Sequence, residues 1–111
     1  MGKQESLELL PGTLDLLILK ALVRGEMHGY GIAQMLKAQS EDVLDVGESS
    51  LYPALQRLLL NGWVTAEWGA SENNRRARYY ALTSAGRKQL AAKRADFQRM
   101  VDAIQRVLQT T

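Results

Sequence analysis

The chain has 111 residues, with 14 lysines and arginines against 12 aspartates and glutamates, so its formal net charge is only +2. Because it contains no cysteine, disulfides, thiolate metal sites and a cysteine nucleophile are excluded. The longest apolar run, residues 16–19, is far shorter than the roughly 20 residues that a membrane-spanning helix needs. These features predict one small cytoplasmic domain without a membrane segment, and the largely polar residues 1–8 are expected to be mobile.

Two helices are predicted in the first third of the chain. From Gly12 to Arg24 apolar residues occupy most of the helical circumference, which indicates a helix covered on more than one side. Residues 26–29 form a short connection to a second helix, from Tyr30 to Gln39. No cysteine or carboxylate cluster accompanies His28, so a turn or capping role is expected for it rather than a metal site. Tyr30 is expected to pack against the core.

The stretch from Leu51 to Gly62 separates apolar from polar residues most clearly, because its leucines recur at the spacing that buries one face of a helix. Ser49 or Ser50 is expected to cap the first turn, where Pro53 is tolerated because the first helical N–H groups lack partners. The opposite face carries groups that can contact bases and phosphates, namely Ser49, Ser50, Tyr52, Pro53, Gln56 and Arg57. An ordinary solvated face is an equal alternative on this stretch alone.

Two runs rich in β-branched and aromatic residues, 63–68 and 77–82, predict the strands of a hairpin. Turn-forming and charged residues dominate the connecting segment 69–76, which indicates an exposed tip. Side chains on or beside the tip can contact phosphates or the minor groove: Asn73, Asn74, Arg75, Arg76 and Arg78. A solvated turn is the alternative. The hairpin's aromatic residues, Trp63, Trp68, Tyr79 and Tyr80, are expected to cover the core rather than to form a ligand site.

A final helix is predicted from Ala85 to Leu108, capped by Thr83 or Ser84. Apolar residues recur along it at heptad spacing, interrupted once by Arg94, and such a seam needs a partner. In a two-fold dimer this helix could cover the partner's first helix. The expected dimer interface comprises Leu14, Leu17, Leu90, Phe97, Met100, Val101, Ile104 and Leu108. A small-molecule cavity between the subunits, beside Phe97 and Met100, is a less favoured use of the same helix.

The order of elements predicts a mostly helical α+β fold, a winged helix-turn-helix of three helices and a two-stranded hairpin, followed by a long dimerisation helix. Residues 9–83 are expected to form the DNA-binding domain and residues 84–109 the dimerisation helix. Since no nucleophile, base and orienting group stand at usable spacing, we expect neither an enzyme nor a cofactor or metal. Two functions fit this fold: a DNA-binding transcription regulator and, as the alternative, a winged-helix protein-interaction module.

Five ordered motifs resemble the PadR family of transcriptional regulators over about residues 9–90. They are Leu10-Pro11-Gly12-Thr13-Leu14-Asp15, His28-Gly29-Tyr30-Gly31-Ile32, Ser50-Leu51-Tyr52-Pro53-Ala54-Leu55, Gly62-Trp63 and Arg78-Tyr79-Tyr80-Ala81-Leu82-Thr83-Ser84-Ala85-Gly86. The short chain with one terminal helix resembles the small PadR subgroup, and residues 71–80 resemble its acidobacterial-type branch. The resemblance implies a homodimeric repressor of a palindromic operator, which in some members is released when a small molecule binds near the dimer interface.

Overall fold

The computed structural model describes residue 9 and residues 12–111, and within them it contains four α-helices and a three-stranded antiparallel sheet. In chain order these are α1 (Thr13–Ala21), a 3-10 turn (Leu22–Arg24), β1 (Met27–His28), α2 (Gly29–Gln39), α3 (Glu48–Leu60), β2 (Val64–Ala70), β3 (Arg76–Leu82) and α4 (Ser84–Gln109). The winged helix-turn-helix prediction is confirmed, with β2 and β3 as the wing. The segment predicted to be mobile, residues 1–8, lies outside the described residues. No helix in the described ranges is long and apolar enough to cross a membrane.

The core forms around α1, whose apolar residues face in several directions. Leu14, Ile18 and Leu19 are buried because α2, α3 and α4 of the same chain all contact this helix. The prediction that α1 is covered on more than one side is therefore confirmed. Apolar residues from the other elements complete the core, among them Ile32, Leu36, Leu51, Leu55, Leu58, Val64 and Tyr80.

The short connection before α2 contains a strand that the sequence pattern does not predict. β1 pairs with β3, Met27 opposite Tyr80 and His28 opposite Tyr79, so the sheet order is β1-β3-β2. A strand of two residues is too short to show the alternation by which strands are recognised. The capping prediction for His28 is confirmed, since its Nδ1 accepts a hydrogen bond from the Gly31 N–H at 3.0 Å.

The start of α3 differs from the prediction. Gly47 is the N-cap residue, so Ser49 and Ser50 lie inside the first turn and neither caps the helix. Pro53 is the sixth helical residue, beyond the positions whose N–H groups lack partners anyway, and the Ser49 carbonyl loses its usual i+4 donor. The first turn instead carries Glu48, whose negative charge is favourable at a helix N-terminus.

The junction between the wing and α4 is held by one threonine and one glycine. The Thr83 hydroxyl accepts a hydrogen bond from the Gly86 N–H at 3.0 Å and donates one to the Gly62 carbonyl at 2.8 Å, which confirms the predicted cap. Gly86 lies against the Trp63 carbonyl so closely that a Cβ atom would overlap with it. α4 is thus fixed at its first turn to the loop that leads into β2.

The aromatic residues divide between the core and the surface. Tyr80 is buried, as predicted, and Trp63 packs beside the core. The packing predicted for Trp68 and Tyr30 is wrong, because these residues are 61% and 66% exposed. β2 and β3 extend past the body of the protein, so Trp68 lies where no described helix covers the sheet. Tyr30 faces outward from the first turn of α2, where its hydroxyl accepts a hydrogen bond from Gln34 Nε2.

Candidate nucleic-acid interface

The polar face of α3 is open to solvent along its length. Leu51, Ala54, Leu55 and Leu58 are buried, so the helix turns its other side outward. All six residues predicted to contact DNA from this helix are exposed: Ser49, Ser50, Tyr52, Pro53, Gln56 and Arg57. Among the described residues, only Arg57 of this set uses its side chain in a hydrogen bond. The hydroxyl and amide groups of the face are therefore free to bind a partner.

Arg57 has a structural contact that the sequence analysis did not assign. Its Nη2 lies 2.8 Å from Oδ1 of Asp15, whose side chain is only 11% exposed. The ion pair joins α3 to α1, while the Arg57 side chain remains about half exposed at 55%. Asp15 and Lys20 are the two charges in an otherwise apolar helix, and a carboxylate among apolar residues is the signal that could have indicated a need for a partner, although not which residue supplies it. A contact of Arg57 with a DNA phosphate stays a prediction.

Tyr52 joins the exposed face of α3 to the beginning of α2. A Cβ atom built on Gly29 would lie 3.1 Å from Cε1 of Tyr52, so the tyrosine ring packs directly over the glycine backbone. Nearly half of the Tyr52 side chain, 45%, remains exposed. The residue is therefore both a packing contact between the two helices and an accessible aromatic group.

The wing has longer strands and a shorter tip than the sequence predicts. β2 continues to Ala70 and β3 begins at Arg76, so residues 71–75 form the tip instead of residues 69–76. The tip is closed by the Ser71 N–H, which donates to the Arg75 carbonyl at 2.8 Å, and Asn74 adopts a positive φ of 59°. The Tyr79 hydroxyl donates to the Ala70 carbonyl at 2.8 Å and ties the strands together near the tip.

The three arginines of the wing keep their charge available. Arg75 and Arg76 are exposed, Arg78 is half-buried, and none of them forms an ion pair within the described part of the chain. Arg76 instead lies over the indole of Trp68, with Cζ 4.8 Å from the ring centroid. Arg78 lies 6.0 Å from the ring of Tyr80. Sequence reasoning missed Trp68 as a partner of Arg76. The two residues meet diagonally across the hairpin, and this proximity is known only once the register of β2 and β3 is known.

A groove of about 840 Å³ runs between the wing and the beginning of α2. Tyr52 contributes to it from α3, and the wing contributes Asn73, Arg75, Arg76 and Arg78. The structure therefore brings one residue of the predicted α3 set, Tyr52, and four of the five predicted wing residues to this groove, whereas the other five α3 residues do not line it. Aromatic groups also line the groove, including His28, Tyr30, Trp68 and Tyr79, and so do the carboxylates of Glu26 and Glu72.

The predicted dimer residues fall into two groups. Leu14 is buried in the chain's own core, and Leu17 and Leu90 pack against that core. The other five form an apolar stripe on the outer part of α4, namely Phe97, Met100, Val101, Ile104 and Leu108. Four of these are exposed, by 41% at Phe97, 59% at Met100, 45% at Ile104 and 75% at Leu108.

A family of known proteins shares this arrangement. Residues 18–92 match the profile of the transcriptional regulator PadR-like family. The chain belongs to the PadR-like family. The matched segment begins in α1 and ends in α4, so it includes the whole helix-turn-helix and the wing. The family resemblance read from the motifs is confirmed, whereas membership of the acidobacterial-type subgroup stays a prediction.

Solved structures of PadR-like and other regulators have the same fold. A transcriptional regulator from Clostridium thermocellum is 28% identical with a TM-score of 0.78, over 86% of this chain and 89% of that one. A PadR family transcription regulator from Clostridium difficile is 26% identical with a TM-score of 0.74, over 87% and 99% of the two chains. An uncharacterized protein of Lysinibacillus sphaericus is 27% identical over 84 residues, 76% of this chain and 77% of that protein.

The PadR-like match covers only part of α4. It ends at residue 92, whereas the apolar stripe begins at Phe97. The exposed face of α3 and the wing thus lie inside the matched segment, and the stripe lies outside it.

Proposed function

We propose that this PadR-like chain is a sequence-specific DNA-binding transcriptional regulator, a repressor that binds a palindromic operator as a homodimer in the cytoplasm. The observation that carries the proposal is the exposed polar face of α3 together with the exposed wing, which meet in one groove through Tyr52. The face of α3 presents hydroxyl and amide groups without a described partner, and the wing presents arginines that form no ion pair with a described carboxylate. Such a surface combines groups that read bases with groups that bind phosphates.

In this proposal α3 enters the major groove of the DNA. Gln56 projects from the middle of the exposed face, and its amide can form the paired hydrogen bonds that recognise adenine. Ser49 and Ser50 lie in the first turn of the helix, where the first N–H groups and the helix dipole favour contact with a phosphate. Pro53 lies about one turn further along and is also exposed. The wing binds the phosphate backbone of the DNA through Asn73, Asn74, Arg75, Arg76 and Arg78. Arg57 offers to a phosphate the N–H groups that Asp15 does not use.

We also propose that the apolar stripe of α4 joins two copies of the chain. Residues 9–83 act as the DNA-binding domain and residues 84–109 as the dimerisation helix. A two-fold axis between the copies would place the two α3 helices on half-sites about one DNA turn, roughly 10 base pairs, apart. A small-molecule effector would bind in this interface beside Phe97 and Met100, and its binding would release the operator.

A protein-interaction module is the second candidate. Trp68 and Tyr30 are large aromatic residues with more than half of their surface exposed, and both border the same groove. Exposed aromatic residues are enriched where proteins contact one another. The two candidates differ in the salt dependence of DNA binding, because phosphate contacts release counterions and contacts between neutral surfaces do not.

Selection from random duplex DNA, followed by fluorescence anisotropy over a series of salt concentrations, tests the proposed function. We expect a palindromic site to be enriched and its affinity to fall steeply with salt. Changing Arg75 and Arg76 together to Ala should weaken binding to all duplexes and reduce the salt slope by about 0.9 for each lost phosphate contact. Arg99→Ala with Arg106→Ala removes the same charge from exposed positions on α4 and is the control. Failure to enrich any site, with no salt dependence, would favour the interaction module.

A further inference from the structure

The side chain of Trp68 is exposed in a place where packing does not explain it. Val64, Ala66 and Trp68 point to the same face of the wing, because side chains alternate along a strand. Val64 is buried in the core, whereas Trp68 lies further out and is 61% exposed. Directly across from Trp68 on that face is Arg78, and Arg76 is two pairs further along the strands, on the same face. The indole therefore lies among the cations of the wing and not among core residues.

The contact between Trp68 and Arg76 orders a guanidinium without neutralising it. Cζ of Arg76 is 4.8 Å from the centroid of the indole, which is within cation–π range. The indole offers no carboxylate or carbonyl oxygen, so a guanidinium beside it keeps its N–H donors for another acceptor. Arg57 is held differently, since its partner is the carboxylate of Asp15, which cancels much of its charge.

We propose that Trp68 is a positioning residue for Arg76, holding its guanidinium ordered and charged so that it can bind a DNA phosphate. This inference rests on the proposed function. The Arg76 side chain then loses its conformational entropy already in the free protein and not on binding. Trp68 should therefore increase the affinity for DNA without contacting the DNA itself. Loss of the Trp68 ring should weaken binding about 3- to 10-fold, because Arg76 would then have to be immobilised when the DNA binds.

The size of the stacked pair indicates a phosphate contact rather than reading of the minor groove. Cζ of Arg76 lies 4.8 Å from the centroid of the indole, so the pair is about 8 Å across once half of a van der Waals contact distance of about 3.5 to 4 Å is added on each side. The minor groove of B-DNA is only about 6 Å wide. Arg76 can therefore reach a phosphate while stacked, but it cannot enter the groove without leaving Trp68. Trp68 should accordingly affect binding to all operator variants equally.

A double-mutant cycle on the operator selected by the wild-type protein tests the proposal. Trp68→Leu should weaken binding about 3- to 10-fold while the salt slope is unchanged, and Trp68→Phe should restore most of the affinity. In an Arg76→Ala background, Trp68→Leu should have no further effect. An undiminished effect in that background would mean that Trp68 contacts DNA directly, and would overturn the proposal.

Arg75 provides the matched control, because it is the neighbouring exposed arginine and stacks on no ring among the described residues. In an Arg75→Ala background, Trp68→Leu should keep its full effect. Without DNA, in a Trp63→Phe protein whose remaining tryptophan is Trp68, Arg76→Ala should change the fluorescence emission and Arg75→Ala should not. Equal emission in both variants would show that the stack is absent in solution. A wild-type protein that binds no duplex would instead refute the proposed function.

Discussion

Asp15 is a carboxylate placed among apolar side chains, and Arg57 supplies the positive charge that compensates for its burial. The two groups are 2.8 Å apart, with Asp15 nearly buried and Arg57 about half exposed. Arg57→Ala should leave the carboxylate without its partner and lower the free energy of unfolding by about 1 to 3 kcal/mol. The loss should be smaller than for a fully buried pair because water can reach the site through the space left by Arg57.

Chemical denaturation in the absence of DNA measures this effect of Arg57→Ala. Asp15→Asn combined with Arg57→Ala should recover part of the stability, since no charge is then left unpaired. An unchanged unfolding midpoint in Arg57→Ala would mean that the ion pair makes no net contribution to stability.

Gly86 occupies the third position of α4, where alanine would ordinarily stabilise a helix by about 1 kcal/mol relative to glycine. Here a methyl group would meet the Trp63 carbonyl and Cδ1 of Leu82. Gly86→Ala should therefore destabilise the protein, by about 1 to 3 kcal/mol, because the first turn of α4 must move away from the loop.

Gly31 is the matched control for Gly86. It is the third residue of α2, and its N–H likewise donates to the side chain of the N-cap residue. A Cβ atom on Gly31 would be 3.4 Å from Cε1 of His28, an ordinary contact distance. Gly31→Ala should be neutral or stabilising in thermal unfolding. Equal effects of the two substitutions on thermal unfolding would show that the close approach of Gly86 to the Trp63 carbonyl does not require glycine at position 86.

At the scale of elements, α3 should decide which DNA sequence is bound. Gln56→Ala should change the preferred base at one position per half-site, at a cost of about 1 to 3 kcal/mol for the preferred base, without loss of the fold. Tyr52 needs two variants, because its ring also packs on Gly29. Tyr52→Phe removes only the hydroxyl, whereas Tyr52→Ala removes the packing as well. Selection from random duplexes should yield altered sites, and identical sites for all variants would show that these side chains read no bases.

Most elements of the fold could be predicted from the sequence because their signals are local. Helical periodicity identifies α1 to α4, and the cap at Thr83 follows from a hydroxyl at the beginning of a helical run. β1 could not be predicted, since two residues show no alternation and its existence depends on a partner, β3, that is distant in the chain.

The candidate site was predicted less completely, because exposure depends on where the core ends. The exposed face of α3 follows from the leucines on its other side. The exposure of Trp68 does not follow from its residue type, which is usually at least partly buried, but from strands that extend beyond the helices. Asp15 in an apolar helix indicates that a partner is needed, but Arg57 is 42 positions away in the chain, and no local pattern identifies it as that partner.

At the scale of the whole molecule, the apolar stripe of α4 should determine the oligomeric state. Val101→Asp with Ile104→Asp would place two carboxylates in the proposed interface, where loss of hydration is costly, and should favour monomers. Operator affinity should fall with the loss of dimers. Ala92→Asp with Ala95→Asp adds the same charges at exposed positions on the opposite side of α4 and is the control. Sedimentation at about tens of micromolar measures the outcome. A monomeric wild type, or a stripe variant that stays dimeric, would contradict the assignment.

The predicted dimer set shows why apolar residues alone do not identify an interface. Leu14, Leu17 and Leu90 have the same character as the residues of the stripe, yet they pack in or against the chain's own core. The sequence indicates that α1 needs cover, but it does not indicate that α4 of the same chain supplies part of it. Of the predicted dimer residues, those on the outer part of α4, from Phe97 onward, are the ones not used in the chain's own core.

The two-residue ladder between β1 and β3 also bears on the length of the operator. His28 pairs with Tyr79 in the wing and at the same time caps α2, so the base of the wing and the helix-turn-helix form one body. The distance between α3 and the arginines of the wing is therefore set by the protein and not by the DNA. One additional base pair between the sequence read by α3 and the flank bound by the wing would shift that flank by about 3.4 Å along the duplex axis. A wing anchored in this way cannot follow the shift while the ladder is intact, so each half-site should have a fixed number of base pairs between these two points.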